Sequence, residues 1–185
     1  MKKIGLFGGT FDPPHIGHLS ICHTVLDNLK LDEIWLIPTY QPPHKKGANE
    51  TFTHRLNMLK RLTNANQIKV STIESERKGL SYTIDTVRLL KEQFPQDEFY
   101  FIIGGDMVDF LPKWYAINEL KKIIQFVGVA RAGSHFSDES VIKVEMEEVN
   151  ISSTHIRNQI KAGEKPQGLP TRVFKYIKEH DLYAN

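Results

Sequence analysis

The chain is poor in cysteine: Cys22 is the only one among 185 residues. A lone thiol forms no intrachain disulfide, which excludes a disulfide-stapled scaffold and fits a reducing cytoplasm. Long apolar runs are missing too, with nothing near the roughly 18 residues of a membrane span. Met1-Lys2-Lys3 looks like the start of a signal peptide, but Ile4–Phe7 is too short an apolar stretch before Gly8-Gly9. Nor is there an excess of one charge. Lys plus Arg number 24 and Asp plus Glu 22, for a net +2, so nothing marks a dedicated nucleic-acid binder. Repeats, low-complexity tracts and linker-like stretches are absent. What remains is ordinary globular composition, 40% hydrophobic and 25% charged, which argues against a disordered or fibrous chain. The expectation is one domain over 1–185, cytoplasmic, with no nucleic-acid or membrane partner. The oligomeric state stays open, a homo-oligomer included.

Short apolar runs alternate with helix-period segments along the chain. Ile4–Phe7 reads as a buried strand. Leu19, Cys22, Val25, Leu26 and Leu29 then form one helical stripe, which makes Cys22 an inert small hydrophobe. Ile34–Ile37 is a second strand, stopped by Pro38 and followed by a polar loop from Thr39 to Glu50. Phe52–Leu62 reads as helix and Ile68–Ile73 as strand. Ile84, Val87, Leu90 and Phe94 mark another helix, ended by Pro95. Phe99–Ile103 is a fourth strand, Ile117–Ile123 a helix and Phe126–Ala130 a fifth strand. Val141–Val149 suggests a more exposed strand. Thr154–Lys161 and Thr171–His180 read as closing helices. Strands alternating with helices predict a doubly wound, Rossmann-like parallel α/β sheet with helices on both faces and right-handed crossovers. Ligands of such folds bind beyond the carboxyl ends of the strands, at the switch point of the strand order. The unusual residues cluster there.

The most informative stretch is Gly8-Gly9-Thr10-Phe11-Asp12-Pro13-Pro14-His15-Ile16-Gly17-His18. Gly8-Gly9 lets backbone N–H groups approach an anion closely. His15 and His18 come to the mouth of the next helix, whose N-terminus is expected to offer free donors to a phosphate. A Gly/Pro turn with two solvent-facing histidines is the plainer alternative, and the combined pattern disfavours it. The stretch lacks the Gly-Lys-Ser/Thr of a Walker loop and the glycine spacing of a dinucleotide fingerprint. Zinc ranks below phosphate, because no third ligand stands near the histidines; no metal site is expected. Near the other end, Ser152, Ser153 and Thr154 are N-cap candidates before a helix carrying Ile156 and Arg157, whose planar fork matches phosphate oxygens. Alone, Ser-Ser-Thr would be only a cap.

The first segment resembles the signature of the nucleotidyltransferase superfamily that shares a His-X-Gly-His motif with class I aminoacyl-tRNA synthetases. Ile151–Arg157 resembles its second signature. Ile37-Pro38-Thr39, Pro42-Pro43-His44-Lys45, Ser81–Thr86 and Gly104-Gly105-Asp106 occur in the order of bacterial nicotinate-nucleotide adenylyltransferases, and that resemblance spans essentially the whole chain. Many such proteins carry Gly-Ala-Asp where this chain has Gly104-Gly105-Asp106. The resemblance implies a single nucleotidyltransferase domain that transfers AMP from ATP to nicotinate mononucleotide, releasing pyrophosphate. Pantetheine-phosphate adenylyltransferases and cytidylyltransferases share the first motif, so base and acceptor are less secure than reaction type. A tRNA synthetase would need an anticodon-binding domain that this length does not hold. A non-enzymatic nucleotide-sensing module is the alternative from another class.

Residue roles follow from the resemblance. Gly8, Gly9, Thr10, Phe11, His15, His18, Gly104, Asp106, Arg131, Ser152, Ser153, Thr154, Ile156 and Arg157 would bind ATP, with Thr10, Lys45 and Arg157 on the phosphates. His18, with His15 beside it, would be catalytic by hydrogen-bonding the α-phosphate. Asp106 would accept ribose hydroxyls, a helix cap being the competing role; for Arg131 the competitor is a surface arginine. Tyr82, Thr83, Trp114 and Tyr115 would bind nicotinate mononucleotide, Thr83 through the carboxylate and Trp114 by stacking; Thr83 could also be merely an N-cap. Lys46 reads as a solvated charge and Trp35 as core. His23, His54, His135 and His180 receive no role. The acceptor's phosphate is already ionised, so no general base is needed, and Mg2+ would travel with ATP.

Overall fold

Parallel strands must be joined by crossovers, so each helical segment returns the chain to the edge where the next strand starts. The structure, a computed structural model, describes residues 1–42, 47–63 and 66–184. Its strands are β1 (Lys3–Gly9), β2 (Glu33–Pro38), β3 (Ile68–Val70), β4 (Glu98–Gly104), β5 (Gln125–Ala130) and β6 (Ile142–Glu145). They form one six-stranded sheet in the order β3-β2-β1-β4-β5-β6, and every pairing is parallel. This is the doubly wound order expected, with the switch point between β1 and β4. The helices are α1 (Ile16–Leu29), α2 (Phe52–Leu62), α3 (Ile73–Arg77), α4 (Thr83–Gln93), α5 (Ile117–Ile123), α6 (Ser153–Lys161) and α7 (Thr171–Glu179), with a 3-10 helix at Gly105–Lys113.

Alternation along the buried strands splits the core in two. Phe7, Ile34 and Ile102 face Cys22 and Val25 of α1, Met58 and Leu59 of α2, Ile156 of α6 and Ile177 of α7. Ile4, Leu6 and Phe101 face Ile84, Val87 and Leu90 of α4, Leu111 of the 3-10 helix and Leu120 of α5. Cys22 is fully buried and burial pushes its thiol up to about 12, which makes it the inert hydrophobe expected. Among the described residues, no helix is long and apolar enough to cross a membrane.

Several expected boundaries move. The third strand stops at Val70, and Ile73 opens α3 instead, burying its side chain through a helical turn. The sixth strand covers only Ile142–Glu145, and Met146–Val149 beyond it line a cavity. Phe94 caps the end of α4 and is exposed, its ring against Trp35. Trp35 itself is half-buried, with its indole N–H donated to Glu33 at 2.8 Å. Trp114 lies in the turn that follows the 3-10 helix, as its C-cap. Gly105 fits its place because a Cβ there would lie 2.6 Å from that of Ala130.

Gly5, in the middle of β1, is the tightest point of the sheet interior. A Cβ there would lie 2.9 Å from Ile102 Cδ1 and 3.0 Å from Ile34 Cγ1 and Leu31 Cδ1. Gly5→Ala should therefore cost about 1–3 kcal/mol by overpacking, read as a lower urea midpoint at unchanged slope. An unchanged midpoint would show that the three side chains give way freely.

Candidate active site

The loop from Thr10 to His15 leaves β1 at the switch point and is held from four directions. Asp12 is buried. Its Oδ1 accepts the Tyr183 hydroxyl at 2.5 Å, and its Oδ2 accepts the Asn49 backbone and side-chain N–H groups at 2.5 and 3.0 Å. The equally buried Arg55 of α2 donates to the carbonyls of Thr10 and Thr39, both at 2.7 Å, and of Glu50 at 3.2 Å. Arg157 of α6 donates to the Asp12 carbonyl at 2.7 Å and to Thr154 Oγ1 at 3.0 Å. Ser153 Oγ donates to the Pro13 carbonyl at 2.8 Å. The two signatures, about 140 residues apart, are thus bonded to each other.

The His-X-Gly-His segment closes on itself. His15 is the N-cap of α1, and its Nδ1 accepts the Gly17 N–H at 3.2 Å. In return His18 Nδ1 accepts the His15 N–H at 3.0 Å. Gly17 must lack a side chain, because a Cβ would lie 2.9 Å from His15 Nδ1. Gly9 is constrained likewise by the Phe11 ring, 3.0–3.2 Å from its Cβ position, and Phe11 itself takes a left-handed φ of 52°. The two imidazoles stack with centroids 3.8 Å apart, and Phe11 sits edge-on to His18 at 4.9 Å. Burial pushes His15 down to about 4. It pushes His18 well below its ordinary value, an effect to which His15 adds. Both rings are therefore neutral, and with each Nδ1 accepting, each proton sits on Nε2. The site presents two fixed Nε2–H donors.

One expectation fails here. The α1 start was read as a source of free donors, yet Ile16 N–H goes to the Gly168 carbonyl and His18 N–H to the His15 carbonyl, each at 3.0 Å, while Gly17 N–H is taken by His15. Reciprocal capping uses them up. Among the described residues, N–H groups with no protein partner at this edge of the sheet include those of Thr10 and Phe11 in the loop, Ser153 and Thr154 at the start of α6, and Thr83 and Ile84 at the start of α4.

A cavity of about 320 Å³ opens beside the histidines, lined by His15, His18, Gly104, Arg131, Glu148 and Ile151 among others. Arg131 is exposed and ion-paired with Glu148. Arg157 instead lines a second, polar cavity of about 460 Å³ with Asn49, Lys161 and Tyr183. Ser152 is the N-cap of α6, accepting the His155 N–H at 3.1 Å. Ile156 is fully buried, so its side chain anchors α6 rather than facing a ligand. Asp106 is exposed, two residues beyond Gly104, the N-cap of the 3-10 helix, with Oδ1 only 2.7 Å from where a Gly104 Cβ would be.

On the other side of β1, Phe101 lies 3.4 Å from the Cβ position of Gly8 and edge-on to Trp114 at 5.8 Å. Trp114 also packs edge-on to Phe126 and is half-buried, so part of its ring is core. Tyr82 and Tyr115 face each other at 4.8 Å, Tyr115 being 63% exposed. Tyr82, not Thr83, is the N-cap of α4. Lys45 and Lys46 lie outside the described residues. Asp12, Asn49, Arg55, Glu74 and Tyr183 carry structure that the sequence reading missed. Only Arg55 left a signal: it interrupts the buried stripe Arg55, Met58, Leu59 and Leu62 of α2.

The neutral histidines set a pH dependence. The folded-state pKa lies below the unfolded value of about 6.5, so between pH 6.5 and about 4 the unfolded chain binds protons that the native one refuses. Stability is full above pH 6.5 and is lost as pH falls. His15 alone should remove about 2 kcal/mol between pH 7 and 5, and His18 acts in the same direction. Urea midpoints across this range test it, with a shallower slope expected for His18→Gln. A flat profile would contradict neutral burial.

Comparison with known proteins agrees with this geometry. The cytidylyltransferase-like family model matches residues 6–159. The nicotinate-nucleotide adenylyltransferase of Bacillus subtilis (strain 168) is 48% identical, with all of both chains covered. A probable nicotinate-nucleotide adenylyltransferase of Shouchella clausii is 49% identical over 100% of this chain and 98% of its own. In fold, the chain superposes on Plasmodium falciparum nicotinic acid mononucleotide adenylyltransferase complexed with NaAD. That match has a TM-score of 0.81 at 23% identity, over 99% of this chain and 98% of that one. With whole-length identity near one half and both signatures intact, the chain belongs to the nicotinate-nucleotide adenylyltransferase family, within the cytidylyltransferase-like proteins.

Proposed function

We propose that residues 1–185 act as one nucleotidyltransferase domain that transfers the adenylyl group of ATP to nicotinate mononucleotide, giving nicotinate adenine dinucleotide and pyrophosphate for NAD biosynthesis. One observation carries this reading. Arg157–Asp12 and Ser153–Pro13 join the two signatures, which gathers neutral Nε2–H donors and unpaired backbone N–H groups at one sheet edge. That donor set suits phosphate oxygens.

In the reaction, the ionised phosphate of the mononucleotide attacks the α-phosphorus of ATP, and the bond to the β-phosphate oxygen breaks as pyrophosphate leaves. The nucleophile needs no base. The protein's work is alignment and stabilisation of charge. His18 donates its Nε2–H to an α-phosphate oxygen with His15 beside it, while Thr10, Phe11, Ser153 and Thr154 offer N–H groups to the triphosphate. Arg157 keeps its loop-holding bonds and turns its remaining N–H groups to phosphate. The 320 Å³ cavity beside Gly104 and Arg131 takes the nucleoside, and Asp106 accepts from its ribose. Lys45 joins the phosphate contacts on resemblance alone. Mg2+ would come with ATP, held by phosphate oxygens and water, and would supply charge neutralisation on the triphosphate. The reading includes a cytoplasmic location, because both substrates are multiply charged metabolites that membranes retain.

The acceptor is chosen at the start of α4. The unpaired N–H groups of Thr83 and Ile84, with the Thr83 hydroxyl, match a carboxylate, which only accepts. A carboxamide would turn its NH2 toward some of these donors, leaving groups unmatched at about 1–3 kcal/mol each. Pyrophosphate release with ATP and a panel of mononucleotides should therefore favour nicotinate over nicotinamide mononucleotide by on the order of 10²–10³ in kcat/KM. Thr83→Ala should narrow that ratio. Trp114→Ala should weaken both acceptors alike. Equal efficiency on the parent would overturn the acceptor assignment, and nucleotide binding without pyrophosphate release would point to a sensing module. His18→Ala should lower kcat by about 10²–10³ with a smaller change in the KM for ATP and an intact circular dichroism spectrum. Near-parent turnover would remove His18 from the chemistry.

A further inference from the structure

A second buried carboxylate, Glu74 of α3, takes no part in the chemistry above. It is 8% exposed, although α3 is a single turn whose other acidic residue, Glu76, is exposed. Its Oε2 accepts the backbone N–H of Tyr40 at 3.2 Å, and its Oε1 accepts the hydroxyl of the buried Thr86 at 3.2 Å. The Ser81 hydroxyl stands beside it and favours its charged form. Ser81 in turn accepts the Gln41 N–H at 3.2 Å and gives its own N–H to the Gln41 carbonyl at 2.9 Å. Burial raises the Glu74 pKa while these donors and Arg77 oppose the rise. Arg77 braces the same segment from outside, donating to the Leu80 carbonyl at 2.5 Å and pairing with Asp85 at 3.6 Å.

These bonds converge on one place. Tyr40 and Gln41 lie just beyond β2, Ser81 immediately precedes the Tyr82 cap, and Thr86 lies one turn into α4. The first turn of α4 is bonded from beneath by Glu74 through Thr86, with Ser81 beside the same carboxylate. We propose that Glu74 is the positioning residue of the acceptor side, holding the Thr39–Gln41 segment against the start of α4 so that the Thr83 and Ile84 N–H groups face the acceptor's carboxylate. The inference rests on the acceptor reading above. Asp12 performs the corresponding task on the ATP side, through separate partners.

The test is Glu74→Gln, which keeps size and shape but removes the charge and one acceptor oxygen, so that the bonds from Tyr40 and Thr86 lose their charge assistance and one of them meets an NH2. The expected result is a split. The KM for nicotinate mononucleotide rises about tenfold, the KM for ATP stays within about twofold, and amide exchange quickens at Gln41 and Ser81 but not at Gly17 or His18. Thr86→Val, which removes one donor and leaves the carboxylate, should shift the same constant in the same direction by less. If Glu74→Gln does not fold, Thr86→Val carries the comparison. Parallel rises in both KM values would reduce Glu74 to a structural carboxylate, and an unchanged acceptor KM would overturn the proposal outright. A parent enzyme that prefers another mononucleotide refutes the acceptor reading only; the same split is then measured on that mononucleotide.

Discussion

Everything at the site depends on keeping one carboxylate, that of Asp12, out of water and fully bonded. A buried ionised group without partners would cost several kcal/mol. Asp12 avoids this by accepting from Tyr183 and twice from Asn49. Those donors come from distant parts of the chain, so satisfying one charge fixes three segments relative to each other. Burial and Asp12 together push the Tyr183 phenol well above its ordinary range, which keeps it a donor at any working pH. Arg55 and Arg157 then take up the carbonyls that the loop leaves exposed. The carbonyls of Thr10, Asp12 and Pro13 and the Asp12 carboxylate are thus all engaged by distant parts of the chain.

The histidine pair shows the same economy. A charged imidazole would attract phosphate more strongly, but it could not accept the N–H bond that each Nδ1 receives. Neutrality is therefore a condition of the loop's shape. What is lost in charge is regained in direction, since a ring with one committed nitrogen has one tautomer and one donor to offer. Preorganised donors of this kind stabilise developing charge without having to turn toward it during the reaction.

Much of the fold was legible because the strands are apolar on both faces, as parallel strands covered by helices must be. The 3.6-residue stripes of α1, α2 and α4 announced themselves, and the two signatures marked the sheet edge that matters. Ile68–Ile73 failed because a short apolar run carries no period to separate strand from helical turn. The α1 start misled because capping is local geometry: His15 and Gly17 had to be seen bonded before their donors could be counted as spent. Tyr183 left no trace at all, since its partner lies 171 residues away. Glu74 belongs to no motif or apolar stripe of the sequence, and only its bonds to Tyr40 and Thr86 account for its burial.

The span between Asp12 and Tyr183 has a consequence for how the molecule is made. A ribosome adds about 5–20 residues per second, and β1 with its loop emerges early. Yet the loop lacks its hydroxyl partner, its Arg157 tether and its Ser153 tether until nearly the whole chain has been synthesised. Until then Asp12 has reason to remain hydrated and the loop to remain open. A nascent chain of this protein thus carries the complete first signature well before the contacts that hold its loop can form, and those arrive only with α6 and the segment that follows α7.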